Sequence, residues 1–306
     1  MNRRIILVVL IAILSIPKTW ACDVCGCSLS GLYFGYVSMQ NRHFIGLKYS
    51  SASFKAYIDN DDYYFQDEYS NDTYQRFDLT GKYRFSPRFD VRYVVPYIIN
   101  NMEGSHQNVR SSGLGDPMIV GYYSVFNTGE NMEGIVHSLN VGAGLKLPVG
   151  EFEKTDDGEI INRNFQLGSG SLDYILSANY MVRFDKYGAN VESSYKINSA
   201  NSMDYEFGNQ ANVALNVYRY LETASFSVLP FVGGFYEQGD YHYNEGIREA
   251  NTGGKTFMAT LGAQAFVSRL TLNAQYQTPI KQTFNTDDFA SIEGGDRFSI
   301  GLYYSL

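Results

Sequence analysis

Three sulfurs stand together in Cys22-Asp23-Val24-Cys25-Gly26-Cys27, which holds every cysteine of the chain. Three chemistries fit that spacing. A disulfide, Cys25–Cys27 or Cys22–Cys25, would form in an oxidising compartment and leave one thiol over, because the count is odd. Three thiolates in C-x-x-C-x-C would instead hold a soft ion, Cu(I) or Zn(II). The third is lipid attachment at Cys22, although Thr19 stands where leucine is usual and bulky Trp20 follows it. Additional ligands are few: Asp23 inside the motif and His43 beyond it. No other cofactor is expected.

His137-Ser138 is the one candidate for a base beside a nucleophile. A twelve-stranded outer-membrane phospholipase carries its His and Ser two residues apart on one strand face. Adjacent strand residues point to opposite faces, so His137 and Ser138 cannot pair directly. Gly-x-Ser-x-Gly, His-Glu-x-x-His and phosphate-loop motifs are missing, and the acidic residues are scattered over loops. A net charge of −8 with no basic stripe argues against nucleic acid. No catalytic activity is expected.

The elements that would carry these residues are strands. The chain has 26 Tyr and 20 Phe against one Trp, and 29 Gly against 7 Pro, with no long helical pattern. That is the composition of strand surfaces and membrane interfaces. Residues 1–21 read as an export signal: Arg3 and Arg4, an apolar run from Ile5 to Ile16, then Thr19 and Ala21 as the small residues of a cleavage site. Beyond it no stretch approaches the ~20 apolar residues of a transmembrane helix. An exported chain of this kind still enters a membrane if its strands close into a barrel.

Period-two alternation supports that barrel. In the last strand Phe298, Ile300, Leu302, Tyr304 and Leu306 alternate with Arg297, Ser299, Gly301, Tyr303 and Ser305. Leu306 ends it where such barrels commonly carry an aromatic residue. Phe77, Leu79, Gly81, Tyr83 and Phe85 alternate in the same way with Arg76, Asp78, Thr80, Lys82 and Arg84. Counting segments of this type gives about twelve strands, an even number suited to a bacterial barrel. Short turns fall near 86–87, 128–131, 185–186, 220–222 and 268–269. Longer acidic, Gly/Asn-rich loops fall at about 58–72, 100–112, 150–164, 198–208, 238–254 and 281–295. Short turns alternating with long loops predict an all-β, transmembrane, antiparallel up-and-down barrel over 42–306, with both termini periplasmic and the long loops outside. Residues 22–41 would join the cysteine motif to it, below the periplasmic mouth or as a small plug.

Charge follows this map. Asp59, Asp61, Asp62, Asp67, Glu68 and Asp72 lie in the first long loop, solvated near lipopolysaccharide or gathering cations at the mouth. Interior phases hold Lys48, Arg76, Asp78, Lys82, Arg84, Asp90, Arg92, Lys146, Asp173, Arg183, Glu192 and Lys196, and Asp116, beside glycines at an external strand end, is grouped with them. Charges at these phases would be costly against lipid, so they are the candidate lumen lining.

Three motifs add a resemblance. Ser112-Gly113-Leu114-Gly115-Asp116-Pro117, Gly142-Ala143-Gly144-Leu145-Lys146-Leu147-Pro148-Val149-Gly150 and Leu167-Gly168-Ser169-Gly170-Ser171-Leu172-Asp173 resemble the barrel family named for the meta-pathway of phenol degradation. The cysteine motif with the Tyr-Phe-Gly after it is similar to exported barrels of Bacteroidetes-type bacteria. The resemblance implies a Gram-negative outer-membrane channel or transporter, sometimes linked to aromatic compounds, and carries no substrate or binding residue. Asp116 and Asp173 would pair with lumen arginines, cap loop amides, or act at a gate. The expectation is therefore a channel for small solutes. The alternatives are a Cu/Zn-binding or redox-sensitive barrel working through Cys22, Cys25 and Cys27, and a structural or adhesion barrel with a packed lumen. Its partners would be outer-membrane lipid, lipopolysaccharide and the barrel-assembly machinery.

Overall fold

A computed structural model describes residues 43–58, 68–105, 108–128, 134–156 and 158–306. The export signal (1–21), the joining segment (22–41) and its three cysteines lie outside the described residues, as do most of the first acidic loop and His106.

Twelve antiparallel staves close on themselves. They are β1 (Phe44–Ile58), β2 (Glu68–Ser86), β3 (Phe89–Gly104), β4 in two segments (Asn108–Leu114 and Met118–Asn127), β5 (Ile135–Lys146) and β6 (Asp173–Phe184). β7 (Tyr187–Ile197), β8 (Gln210–Arg219), β9 (Ser227–Gly239), β10 (Gly254–Val267), β11 (Leu270–Phe284) and β12 (Ala290–Ser305) complete the wall. Each stave pairs with its neighbours in sequence. The seam is β1 against β12, from Phe44 opposite Ser305 to Ile58 opposite Ala290. No strand of the wall is left with an open edge, which is what lets a sheet sit in lipid.

The barrel is inside out relative to a water-soluble one. Phe77, Leu79, Tyr83 and Phe85 are exposed, whereas Arg76, Asp78, Thr80 and Lys82 between them are buried. In β12, Phe298, Ile300, Leu302 and Tyr304 face out, and Arg297, Tyr303 and Ser305 face in. Exposed aromatics gather toward the tight turns, at Tyr83, Phe85, Phe89, Tyr123, Phe184 and Tyr187, forming one interfacial belt. A charge placed on the apolar band between the ends should be costly. Leu261 lies outward between Val232 and Tyr276. Leu261→Arg is expected to lower stability in vesicles by about 2–4 kcal/mol, read from guanidinium unfolding, whereas Leu261→Ala should cost far less.

The two ends differ. At the turn end, β6 and β7 are joined through Asp185 and Lys186, and β10 and β11 through Ser268 and Arg269; Asp185 and Ser268 take the left-handed backbone such turns need. At the loop end the strands run further than the alternation predicts. β3 and β4 remain paired from Tyr97 opposite Leu114 up to Glu103 opposite Asn108, through most of the expected 100–112 loop. β11 reaches Phe284 and β12 begins at Ala290, well inside the expected 281–295 loop. Above the apolar band the outward face is polar, at Glu103, Arg110, Lys281 and Glu293, so the lipid-set alternation fades while backbone pairing continues.

Candidate functional site in the barrel lumen

Inward side chains two residues apart on one strand share a face. Arg76 and Asp78 use this to form a buried hydrogen-bonded ion pair. Asp90 and Arg92 do the same at 2.9 Å, with Lys82 Nζ 3.7 Å from the other Asp90 oxygen. The Arg92 guanidinium stacks 3.9 Å above the Tyr122 ring, and the Tyr122 hydroxyl donates to Ser177 Oγ at 2.9 Å. Across the lumen, Arg297 Nη1 donates to Glu237 Oε2 at 3.0 Å. Each pair offsets a desolvation cost that one partner alone would leave uncompensated.

The three glycine-rich motifs converge. β4 breaks at Gly115-Asp116-Pro117, where three residues face Val95 and Pro96. Neither Pro96 nor Pro117 has an N–H for the ladder, so the break sits where pairing is already weak. Strict alternation would give Asp116 the outward phase of Leu114; the bulge turns it inward. Asp116 Oδ1 accepts from the backbone N–H of Val149 (3.0 Å) and Gly150 (2.9 Å). Its Oδ2 accepts from Ser169 N–H (2.9 Å) and Lys146 Nζ (2.8 Å). Lys146 also donates to Ser169 Oγ and lies 2.7 Å from Asp173 Oδ2, a close ion pair without hydrogen-bond alignment. Asp173, fully buried, accepts from Ser171 Oγ (2.7 Å) and Ser199 N–H (3.1 Å). A β-carbon on Gly168 would stand 2.6 Å from Asp116 Oδ1, so glycine is what allows the third motif to approach.

This cluster anchors the connection from β5 to β6, residues 147–172, which folds into the barrel. Its 3₁₀ turn, Arg163–Phe165, brings Phe165 to 0% exposure among Phe54, Tyr74, Met102 and Val109, with Ile161 beside it. The Phe165 and Tyr74 rings stack at 5.3 Å. The Phe165 carbonyl, pushed into the lumen, accepts from Asn100 Nδ2 and Ser111 Oγ. That satisfies a backbone group which would otherwise be buried at a cost.

A second layer covers the first. Tyr205–Glu206, Tyr243–Asn244 and Ile247–Arg248 form a three-stranded sheet from the connections over 198–209 and 240–253. Asn201 Nδ2 donates to the Ser169 carbonyl at 2.9 Å, joining this cover to the inserted connection. His242 is buried against Tyr205 and Phe207, with Nδ1 2.9 Å from the Tyr205 hydroxyl. Burial, and then the nearby Lys196 charge, push the imidazole down to about 4 from 6.5. Above about pH 6.5 the ring is neutral whether the cover is packed or released. Between about 6.5 and 4 only the released form takes the proton, so each pH unit of acidification costs the packed form about 1.4 kcal/mol. Acidification from pH 7 to 4.5 is therefore expected to make 240–253 more susceptible to an acid-active protease, and His242→Gln should abolish the dependence.

Of the predicted lumen residues, Arg76, Asp78, Lys82, Arg92, Asp116, Lys146, Asp173 and Glu192 are buried inside. Lys48, Arg183 and Lys196 are half-buried. Arg84 sits at the turn end, donating to the Ser86 and Pro87 carbonyls. The expectation that Asp116 and Asp173 pair with arginines is corrected: their shared cation is Lys146, because the second and third motifs bring Lys146 and both carboxylates to one point. The amide-capping part of that expectation holds. His137 and Ser138 diverge; the imidazole contacts the Tyr180 hydroxyl at 2.7 Å while Ser138 turns into the lumen. Sequence reasoning did not pick out the Glu237–Arg297 pair. Arg297 has the inward phase of Ser299 and Gly301, which was its signal. The inward apolar contacts of Ile161 and Phe165 were also missed, although both are large apolar residues in an otherwise polar connection.

The fold and its inverted lining define a transmembrane β-barrel of the outer-membrane type. No protein-family model matches the chain, and no curated protein sequence does. Among solved structures it is similar to an outer membrane channel from Pseudomonas putida F1, with 14% identity, a TM-score of 0.59, and coverage of 87% of this chain and 96% of that one. The β domain of the Bordetella autotransporter BrkA is 13% identical at a TM-score of 0.47, over 87% of this chain and 100% of that one. A Pseudomonas aeruginosa FadL homologue is 10% identical at 0.43, over 86% and 90%. At these identities the first likeness concerns the fold alone.

Proposed function

We propose that this barrel is a gated outer-membrane channel for small solutes, closed at its loop end in the arrangement described, with its termini on the periplasmic side. The observation that carries the reading is the inserted connection. A polar lumen lined by paired charges is crossed by a segment held by a few discrete contacts, the Asp116–Lys146–Asp173 cluster and Phe165. A segment tied to the wall at discrete anchors, rather than along its length, is one whose release would open the lumen. The resemblance to a channel family and the similarity to the Pseudomonas putida channel fold support the same reading.

The ion-paired lining also favours a second reading, a structural barrel with a packed lumen. Planar-bilayer recording separates them. The purified full chain should give discrete current steps of low open probability. A barrel that passes no current at any voltage or salt concentration, with the inserted connection intact or replaced by a Gly/Ser linker, would refute the channel and leave the structural barrel.

A further inference from the structure

Between the inserted connection and the lumen wall lies a cavity of about 120 Å³. Arg76, Lys146, Arg163 and Lys196 contribute to its lining, and Met118 and Leu167 give it apolar surface. The cations are not equivalent. Arg76 is matched by Asp78, and Lys146 lies between two carboxylates. Arg163 is held differently. Its Nη1 contacts the Phe152 carbonyl at 3.5 Å and Met203 Sδ at 3.6 Å, and its guanidinium lies 4.9 Å from the Tyr205 ring centre. Among the described residues no carboxylate stands within ion-pair distance of it.

A half-buried guanidinium with long, neutral contacts favours an anion that brings good acceptors, and a planar carboxylate matches its fork. The apolar surface limits which anion. A hydrated inorganic ion would leave Met118 and Leu167 uncovered, and a neutral apolar molecule would leave Arg163 without a strong acceptor. We propose that this cavity binds small amphipathic carboxylates, with Arg163 taking the carboxylate and the apolar wall taking the body of the molecule. The site rests on the channel reading, since the cavity lies under the segment that closes the lumen and would be a station on the way through.

Calorimetric titration of the full chain in detergent, with hexanoate and benzoate against hexanol and benzyl alcohol, tests this. The acids should bind at least about tenfold more tightly than the alcohols, the scale of one charge-assisted hydrogen bond. Arg163→Gln should remove that difference without weakening the alcohols, and Arg163→Lys should restore part of it. Heat-modifiable mobility on gels verifies that each variant keeps its barrel. Equal binding of acids and alcohols, or undiminished acid binding by a folded Arg163→Gln barrel, overturns the site. Bilayer currents measured in parallel keep the two ideas apart. A conducting barrel without acid selectivity loses the site and keeps the channel; a silent barrel that binds acids through Arg163 loses the channel and keeps the site.

Discussion

Lys146→Met is expected to release the inserted connection and turn brief, low-probability currents into sustained ones. The reason is an asymmetry in the cluster. Lys146 is one cation against Asp116 and Asp173, both buried, at 2.8 and 2.7 Å. Removing it leaves two carboxylates facing each other out of water, and breaking a buried pair in this way costs about 3–5 kcal/mol. Asp116→Asn should cost less. It leaves the Lys146–Asp173 pair intact, and the amide oxygen can still accept from part of the Val149, Gly150 and Ser169 N–H set, so about 1–3 kcal/mol is lost. A triple variant, Lys146→Met with Asp116→Asn and Asp173→Asn, removes all three charges and should regain much of the loss. Limited proteolysis within 147–172 reads the release directly, and single-channel recording reads its consequence. If Lys146→Met is cleaved no faster than the parent, the cluster does not hold the connection.

The alternation carried most of the wall in plain view. Arg76, Asp78, Lys82 and Arg92 could be placed inside from phase alone, because lipid on one face and lumen on the other impose a two-residue period. That rule fails where its cause stops. At 100–112 and 281–295 the outward face is polar and the inward face carries only scattered apolar residues, Met102, Val109, Phe284 and Ile292, that pack with Phe165, so the strands continue without the lipid-set alternation. It also fails at bulges. β12 carries an extra residue opposite Ser53, between Gly294 opposite Phe54 and Arg297 opposite Ala52, so the inward phase changes within one strand. The partner of a lumen charge is less legible still. Glu237 and Arg297 are distant in sequence, and only barrel closure decides that they meet. The glycine-rich motifs were visible as motifs, but their meeting at Lys146 depends on where the β4 bulge points Asp116. That bulge is a property of Pro96 and Pro117 on neighbouring strands rather than of any one segment.

Phe165→Ala tests the same closure from its apolar side. The ring is fully buried, stacked on Tyr74 and packed within the cluster that includes Phe54, Met102 and Val109. Truncating such a side chain costs about 3–5 kcal/mol, from lost transfer and from the cavity left behind. In most proteins that loss would be spread over the whole fold. Here the twelve-stave ladder does not depend on Phe165, so the loss should fall on the inserted connection and leave the heat-modifiable barrel unchanged. Faster cleavage at 153–164 and higher conductance, with unaltered barrel stability, is the expected result. Comparison with Lys146→Met then says whether the closure is one unit. Lys146 and Phe165 touch different residues, one at the polar anchor and one in the apolar seat. If each holds the connection independently, the free energies of the double variant add within about 0.5 kcal/mol. If the connection leaves the lumen as a single body, the first substitution already releases it and the second adds little to conductance. An unchanged cleavage rate in Phe165→Ala would place the barrier elsewhere, in the cover formed around His242, where acid rather than truncation should open it.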